Sequence, residues 1–238
     1  MKTLAALLVE LDQPLQLEEI DIPALKPGQV LVEIAFSGVC HTQILEARGY
    51  RGPDPYVPHC LGHEGSGTVL EAAPGSRFKG GDKVILSWLK GSGANVPGSV
   101  YRWNGRDVNA GAVTTFQHHA VVSENRLTPL FEGLSLQRAI MLGCALPTGM
   151  GAVFNVARPS AGQALAVFGA GGIGQSAIAA ASLSGCVPVI AIDPLEPKRA
   201  LARELGATHL IDPAAGDVVA EIRKIVPGGV DFAIEATG

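Results

Sequence analysis

Between Leu165 and Asp193 the chain runs through a strand, a glycine loop, a helix and a second strand, and few folds accommodate that order. Leu165 to Phe168 is a short apolar run, Gly169-Ala170-Gly171-Gly172-Ile173-Gly174 follows it, and Gly172 to Leu183 continues as an alanine-rich helix. The hexapeptide alone is a weak signal, and it acquires meaning only between a strand and a helix. There, one glycine permits a tight turn, another leaves room for a pyrophosphate against the backbone, and a third lets helix and strand pack closely. The free N–H groups and the positive end of the helix hold the phosphates. Gly169, Gly171, Gly172, Ile173 and Gly174 are therefore assigned to a dinucleotide cradle. Asp193 ends the second strand 24 residues after Gly169, where a carboxylate can accept both adenosine ribose hydroxyls and would repel a 2′-phosphate, favouring NAD over NADP. A helix-capping role is the alternative for Asp193. Lys198 can reach the same ribose or lie solvated.

Downstream the same alternation continues, with helices over 196–205 and 217–226 and strands at 187–192, 209–211 and 232–234. Strands separated by helices of that length specify a parallel sheet with right-handed crossovers. Upstream of about residue 155 the rhythm differs. Strands are expected over 3–9, 15–20, 30–34, 67–71 and 114–122, and another is entered from the turn at Gly81. Helical segments are expected only at 43–49 and from Ser135 towards Gly143-Cys144. The glycines and prolines of residues 87–111 predict a surface lobe. The fold class is α/β with a β-rich domain, divided as 1–154 and 155–238.

Composition excludes several functions. The 238 residues, 47% hydrophobic, can fill a real core, and the 18 basic residues are scattered over a chain of net charge −4. No basic footprint for nucleic acid or for an anionic membrane appears. The uncharged stretch 161–192 reads as buried strand, loop, helix and strand rather than a membrane span. The N-terminus lacks a secretory signal pattern, so the cytoplasm is expected. Cys40, Cys60, Cys144 and Cys186 form no Cys-x-x-Cys pair and read as thiols, packed or metal-bound.

The other chemical feature is Gly62-His63-Glu64-Gly65-Ser66-Gly67, a histidine and a carboxylate set among glycines. One histidine proves nothing, and Cys40 and Cys144 are too distant in sequence for spacing to select them as co-ligands. Their surroundings are more specific. Gly38-Val39-Cys40-His41-Thr42, Gly62-His63-Glu64-Gly65-x-Gly, Gly81-Asp82-Lys83-Val84 and Gly143-Cys144-x-x-x-Thr148-Gly149 precede the glycine loop. In that order they resemble the zinc-dependent alcohol dehydrogenases of the medium-chain dehydrogenase/reductase family, over the whole chain. The likeness is greatest to the glutathione-dependent formaldehyde and aryl-alcohol dehydrogenase branch.

The resemblance implies a GroES-like catalytic domain followed by a Rossmann domain. It implies one catalytic zinc held by Cys40, His63 and Cys144 with a fourth position open. An alcohol there loses its proton to Thr42 and a hydride to NAD; Glu64 lies behind the metal, His41 near the cofactor phosphates and Thr148 against the nicotinamide. His59, Cys60, His118, His119 and Cys186 fall outside the pattern and read as packing residues. A zinc-free quinone or enoyl reductase of the same superfamily is the competing enzyme, and a non-catalytic zinc- and NAD-binding remnant the competing non-enzyme.

Three departures from the family stand out. Residues 87–111 lack the four cysteines of a structural zinc, so the second, structural zinc is expected to be absent and one catalytic zinc is expected. Gln43 stands where relatives place an aspartate that orients the zinc-bound histidine. Gly238 falls in the fourth strand of the family's Rossmann sheet, so an incomplete Rossmann domain is expected, completed by a second copy or a C-terminal fragment.

Overall fold

The computed structural model describes every residue from Met1 to Gly238, and the chain forms two compact units, Met1–Cys144 and Ala145–Gly238. The first contains β1 (Lys2–Leu8), β2 (Gln16–Asp21), β3 (Gln29–Ser37), α1 (His41–Ala47), β4 (His59–Cys60) and β5 (Glu64–Ala72). It continues with β6 (Lys83–Ser87), β7 (Val100–Trp103), β8 (Arg106–Asn109), β9 (His119–Ser123), β10 (Leu127–Pro129) and α2 (Leu136–Ala139). Strands β1, β2, β7, β8 and β4 close into a small barrel, while β10, β6, β5, β3 and β9 form a five-stranded sheet in that order.

Side-chain alternation along a strand explains how two cores share one wall. Val30 and Val32 of β3 enter one core with Val69, Val84 and Leu86, whereas Leu31 between them enters the barrel core with Ala5, Leu7 and Ile20. The surface lobe expected at 87–111 is corrected here. Its second half is the β7–β8 hairpin, part of the barrel wall, and Tyr101 is fully buried. The Tyr101 hydroxyl accepts the Val121 N–H at 2.7 Å and an amide N–H of Gln117 at 3.2 Å, and burial pushes its pKa up. Glycine and proline density marked the approach to the hairpin, while the aromatic Tyr101 and Trp103 already argued for packing; Tyr101 and Val108 face inward.

The second unit begins with α3 (Ala145–Gly151) and a π-helical turn over 152–157, continues through β11 (Leu165–Phe168), α4 (Gly172–Leu183), β12 (Val189–Ile192) and α5 (Glu196–Glu204), and ends with β13 (His209–Ile211), α6 (Val218–Ile225) and β14 (Phe232–Glu235). The four strands are parallel in the order β13-β12-β11-β14. Leu165, Val167, Val189 and Ala191 face Ala177, Ile178 and Ala181 of α4 and Ala202 of α5. Ala166, Ile190 and Ile192 face the other way, against Ile222 of α6. Both faces are covered, which is why these strands read as continuous apolar runs.

Residues 145–154, placed in the first domain by the change of rhythm, are grouped with the second unit. The physical reason is Gly149. A Cβ there would stand 2.1 Å from the Ile173 carbonyl oxygen, so only glycine lets α3 lie against the first turn of α4. The helical run 136–157 is long and apolar enough to cross a membrane by length and composition, and it is built from four short helical pieces rather than one rod.

Candidate active site

Cys40 and His63 reach the site from two ends of one backbone junction. Cys40 is the N-cap of α1, and its N–H donates to Gln43 Oε1 at 3.0 Å, while His63 immediately precedes β5. Gly62 before it has φ +88°, and a Cβ there would fall 2.3 Å from Thr115 Oγ1, so both conformation and space demand glycine. Cys144 follows the 3-10 turn 140–142, and its segment is pinned by Ser87 Oγ donating to the Gly143 carbonyl at 2.7 Å.

Glu64 is the spacer on which both cysteine segments rest. A Cβ on Gly38 would lie 2.7 Å from Glu64 Cδ, and one on Gly143 would lie 2.6 Å from Glu64 Cβ and 2.6 Å from the Leu86 carbonyl oxygen. The glycines beside Cys40 and Cys144 thus exist to let two chain segments close on one buried carboxylate side chain. The two sulfurs and a His63 ring nitrogen come within 4.8 Å of one another.

The donors suit zinc. Two thiolates and one imidazole with a further position free make a catalytic rather than a structural zinc arrangement. His63 Nε2 is buried and has no hydrogen-bond partner, the state of a nitrogen shaped for a metal. Burial, and secondarily the Arg51 charge, holds the His63 pKa below its ordinary value, which keeps the ring neutral. Its other nitrogen faces Gln43. Because Gln43 Oε1 is taken by the Cys40 N–H, the amide presents Nε2 to His63 Nδ1, 2.5 Å away. The first turn of α1 also carries His41, exposed, and Thr42, half-buried.

In the second unit the glycine loop divides the labour by position. Gly169 has φ +85° at the turn, and a Cβ on Gly174 would meet the Gly169 carbonyl oxygen at 1.8 Å. A Cβ on Gly171 would meet nothing within 4 Å, so the backbone there faces open space where a phosphate could approach. Gly172 and Ile173 open α4. Asp193 is buried; its Oδ2 accepts the Ala170 N–H and its Oδ1 the Leu195 N–H, both at 2.8 Å, so the carboxylate braces the glycine loop. Lys198 Nζ lies 3.9 Å from Asp193 Oδ2. Thr148, next to the Gly149 contact, has a buried hydroxyl without a partner.

Residues 26–132 match the family model described as the alcohol dehydrogenase GroES-like domain, and residues 172–238 match that of the zinc-binding dehydrogenases. The chain belongs to the zinc-dependent alcohol dehydrogenase family. It is 37% identical to geraniol dehydrogenase of Castellaniella defragrans over 262 aligned residues, 98% of this chain and 69% of that one. It is 33% identical to S-(hydroxymethyl)glutathione dehydrogenase of Synechocystis, over 100% of this chain and 72% of that one. The solved structure of benzyl alcohol dehydrogenase from Acinetobacter calcoaceticus superposes with a TM-score of 0.88 at 31% identity, covering 100% of this chain and 71% of that one. The fold is thus the expected GroES-like and Rossmann-type pair.

The sequence reading missed one constellation. His59, read as a packing residue, is buried with Nε2 2.9 Å from Asp54 Oδ2 and 3.9 Å from Glu46 Oε1. Only the fold joins α1, the 51–58 loop and β4, and no short spacing of the three residues announces it.

Proposed function

We propose that this protein transfers a hydride between an alcohol and NAD, giving the aldehyde, at a zinc held by Cys40, His63 and Cys144. The observation that carries the reading is the convergence of two thiols on a buried imidazole nitrogen that has no other partner. When bound, zinc would supply a Lewis acid that makes an alcohol more acidic and polarises an aldehyde carbonyl, and NAD would supply the hydride acceptor.

The chain's own groups supply the rest. Thr42, two residues along from Cys40, takes the hydroxyl proton and passes its own to solvent. His41, exposed at the start of α1, would serve the cofactor phosphates. Gly171, Gly172 and Ile173 offer backbone N–H groups to the pyrophosphate, and Asp193, with Lys198 beside it, receives the ribose hydroxyls on lone pairs its backbone bonds leave free. Thr148, whose buried hydroxyl has no partner, would meet the nicotinamide. Glu64 keeps the two cysteine segments at their spacing. The related enzymes are named for geraniol, benzyl alcohol and S-(hydroxymethyl)glutathione, which share a terminal CH2OH group. A CH2OH-bearing substrate is the proposed class. Four cysteines free of disulfides are in keeping with a cytoplasmic enzyme.

Metal analysis combined with NADH formation from such alcohols tests the proposal. Wild-type protein should hold thiolate-bound zinc and reduce NAD, and Cys40→Ser should lose both. Turnover without zinc would favour the reductase reading, which the ligand set opposes. Asp193→Ser should weaken NAD binding and relax discrimination against NADP, and an unchanged preference would remove Asp193 from the ribose site.

A further inference from the structure

We propose that Glu46, Asp54 and His59 form a second divalent-cation site, separate from the Cys40, His63 and Cys144 set. Their ligand atoms lie within 4.8 Å of one another, and three separate segments supply them: α1, the 51–58 loop and β4. The side chains are sheltered, with 9% of His59, 13% of Asp54 and 31% of Glu46 exposed, so these are not solvated surface acids.

Hydrogen bonding fixes what His59 presents. Its Nδ1 lies 3.2 Å from the Cys60 carbonyl, which can only accept, so Nδ1 carries the proton. A neutral ring then turns the Nε2 lone pair towards Asp54 Oδ2 and Glu46 Oε1. Three electron-rich atoms converge on one point, and a cation must occupy it: a proton on Nε2 or a metal ion. A proton satisfies Asp54 at 2.9 Å and leaves Glu46 at 3.9 Å with nothing to bind, whereas a metal uses all three.

The spacing agrees with the second choice. Bonds of about 2.0–2.2 Å to nitrogen and oxygen put tetrahedral ligand atoms roughly 3.3–3.6 Å apart, and the 2.9 and 3.9 Å separations bracket that edge. Asp54 Oδ1 is occupied by the Tyr56 N–H at 2.8 Å, which holds Oδ2 towards the site. One imidazole with two carboxylates, and no sulfur, suits zinc, manganese or cobalt in the divalent state. Glu46 and His59 line a cavity of about 420 Å³ that Gln43 and His63 also line, leaving water room to complete the coordination. A cation here would clamp α1, which Cys40 caps, onto the loop that leads to His63.

The test is titration of chelator-stripped wild-type protein with Zn²⁺, and with Co²⁺ to identify the ligands. Two equivalents should bind, and only one should develop the thiolate-to-cobalt charge-transfer band. Glu46→Gln and Asp54→Asn should each weaken the equivalent without that band at least tenfold and retain the other. If Asp54→Asn fails to fold by circular dichroism, Glu46→Gln gives the same reading, since no backbone bond depends on its carboxylate in the way Tyr56 depends on Asp54. A single equivalent in wild type, or a second one indifferent to Glu46→Gln, overturns the proposal and leaves a His59–Asp54 ion pair.

Discussion

Gln43 holds His63 of the proposed zinc site in a compromise, and replacing it with glutamate should tighten zinc binding. The side-chain oxygen of Gln43 accepts the Cys40 N–H, so its NH2 group meets His63 Nδ1. For Nε2 to offer its lone pair to a metal while the ring stays neutral, Nδ1 must carry the proton, and an N–H then faces an NH2. Turning the amide over relieves that conflict and creates another, because NH2 would then face the Cys40 N–H. One amide can accept in only one of the two directions. A glutamate of the same shape accepts in both, keeps the cap of α1, and adds a negative charge beside the metal-bound ring.

Partners of this kind change metal affinity by about 10–100-fold, roughly 1.4–2.7 kcal/mol at 1.36 kcal/mol per tenfold. Gln43 is 5% exposed, so burying the new charge costs part of that gain, offset by two hydrogen bonds that both favour the ionised form. The expected result is zinc affinity about tenfold higher for Gln43→Glu in competition with a chromophoric chelator at pH 8. Gln43→Met, which deletes the cap acceptor without adding charge, should cost about 0.5–2 kcal/mol of stability and bring no such gain. Equal or weaker zinc binding by Gln43→Glu would refute the reasoning, since nothing else in the geometry separates the two side chains.

Gly143→Ala places a methyl 2.6 Å from both Glu64 Cβ and the Leu86 carbonyl, and should lower zinc content and cost about 1–3 kcal/mol in urea unfolding; unaltered zinc content would show that Glu64 is not the spacer. Alkylation of the metal-free protein should label the partly exposed Cys40 first, with zinc protecting it, while Cys60, whose thiol burial pushes up to about 12, and Cys186, raised by burial and then by Asp231, stay unmodified in the mass spectrum. Because the folded pKa of His63 is depressed below 6.5, its contribution to the stability of the metal-free protein is present above that value and lost as pH falls through the lower one. Urea midpoints between pH 7 and 5 should therefore fall less steeply in His63→Asn than in wild type, and parallel slopes would dismiss the shift.

Local chemistry made much of this legible before any coordinates. The β11 and α4 boundaries follow from an apolar run meeting a glycine loop, and Asp193 follows from the position of the second strand. Each is decided by residues within one turn or one strand. The α1 N-cap and the β5 start were visible only as motifs, because a thiol and an imidazole do not announce a partner across 23 or 81 residues. What brings them together is steric. Gly38 and Gly143 vanish against Glu64, and that fit exists only when the sheet is assembled. The strand pairing of β7 and β8 was obscured by the glycines and prolines around it, although Tyr101 and Trp103 signalled that the segment packs, since turn residues report the backbone and not what lies beneath.

The sequence by itself determined the order of elements, the glycine loop between strand and helix and the inventory of soft ligands, because helix and strand periods and glycine's missing side chain act locally. The tertiary structure alone decided three things. It decided that Gln43 turns its NH2 group towards His63, that Asp193, expected to accept ribose hydroxyls or to cap a helix, also braces the glycine loop, and that Glu46, Asp54 and His59 meet. Each depends on hydrogen-bond donors and acceptors competing for partners in three dimensions, and that competition has no imprint on spacing along the chain.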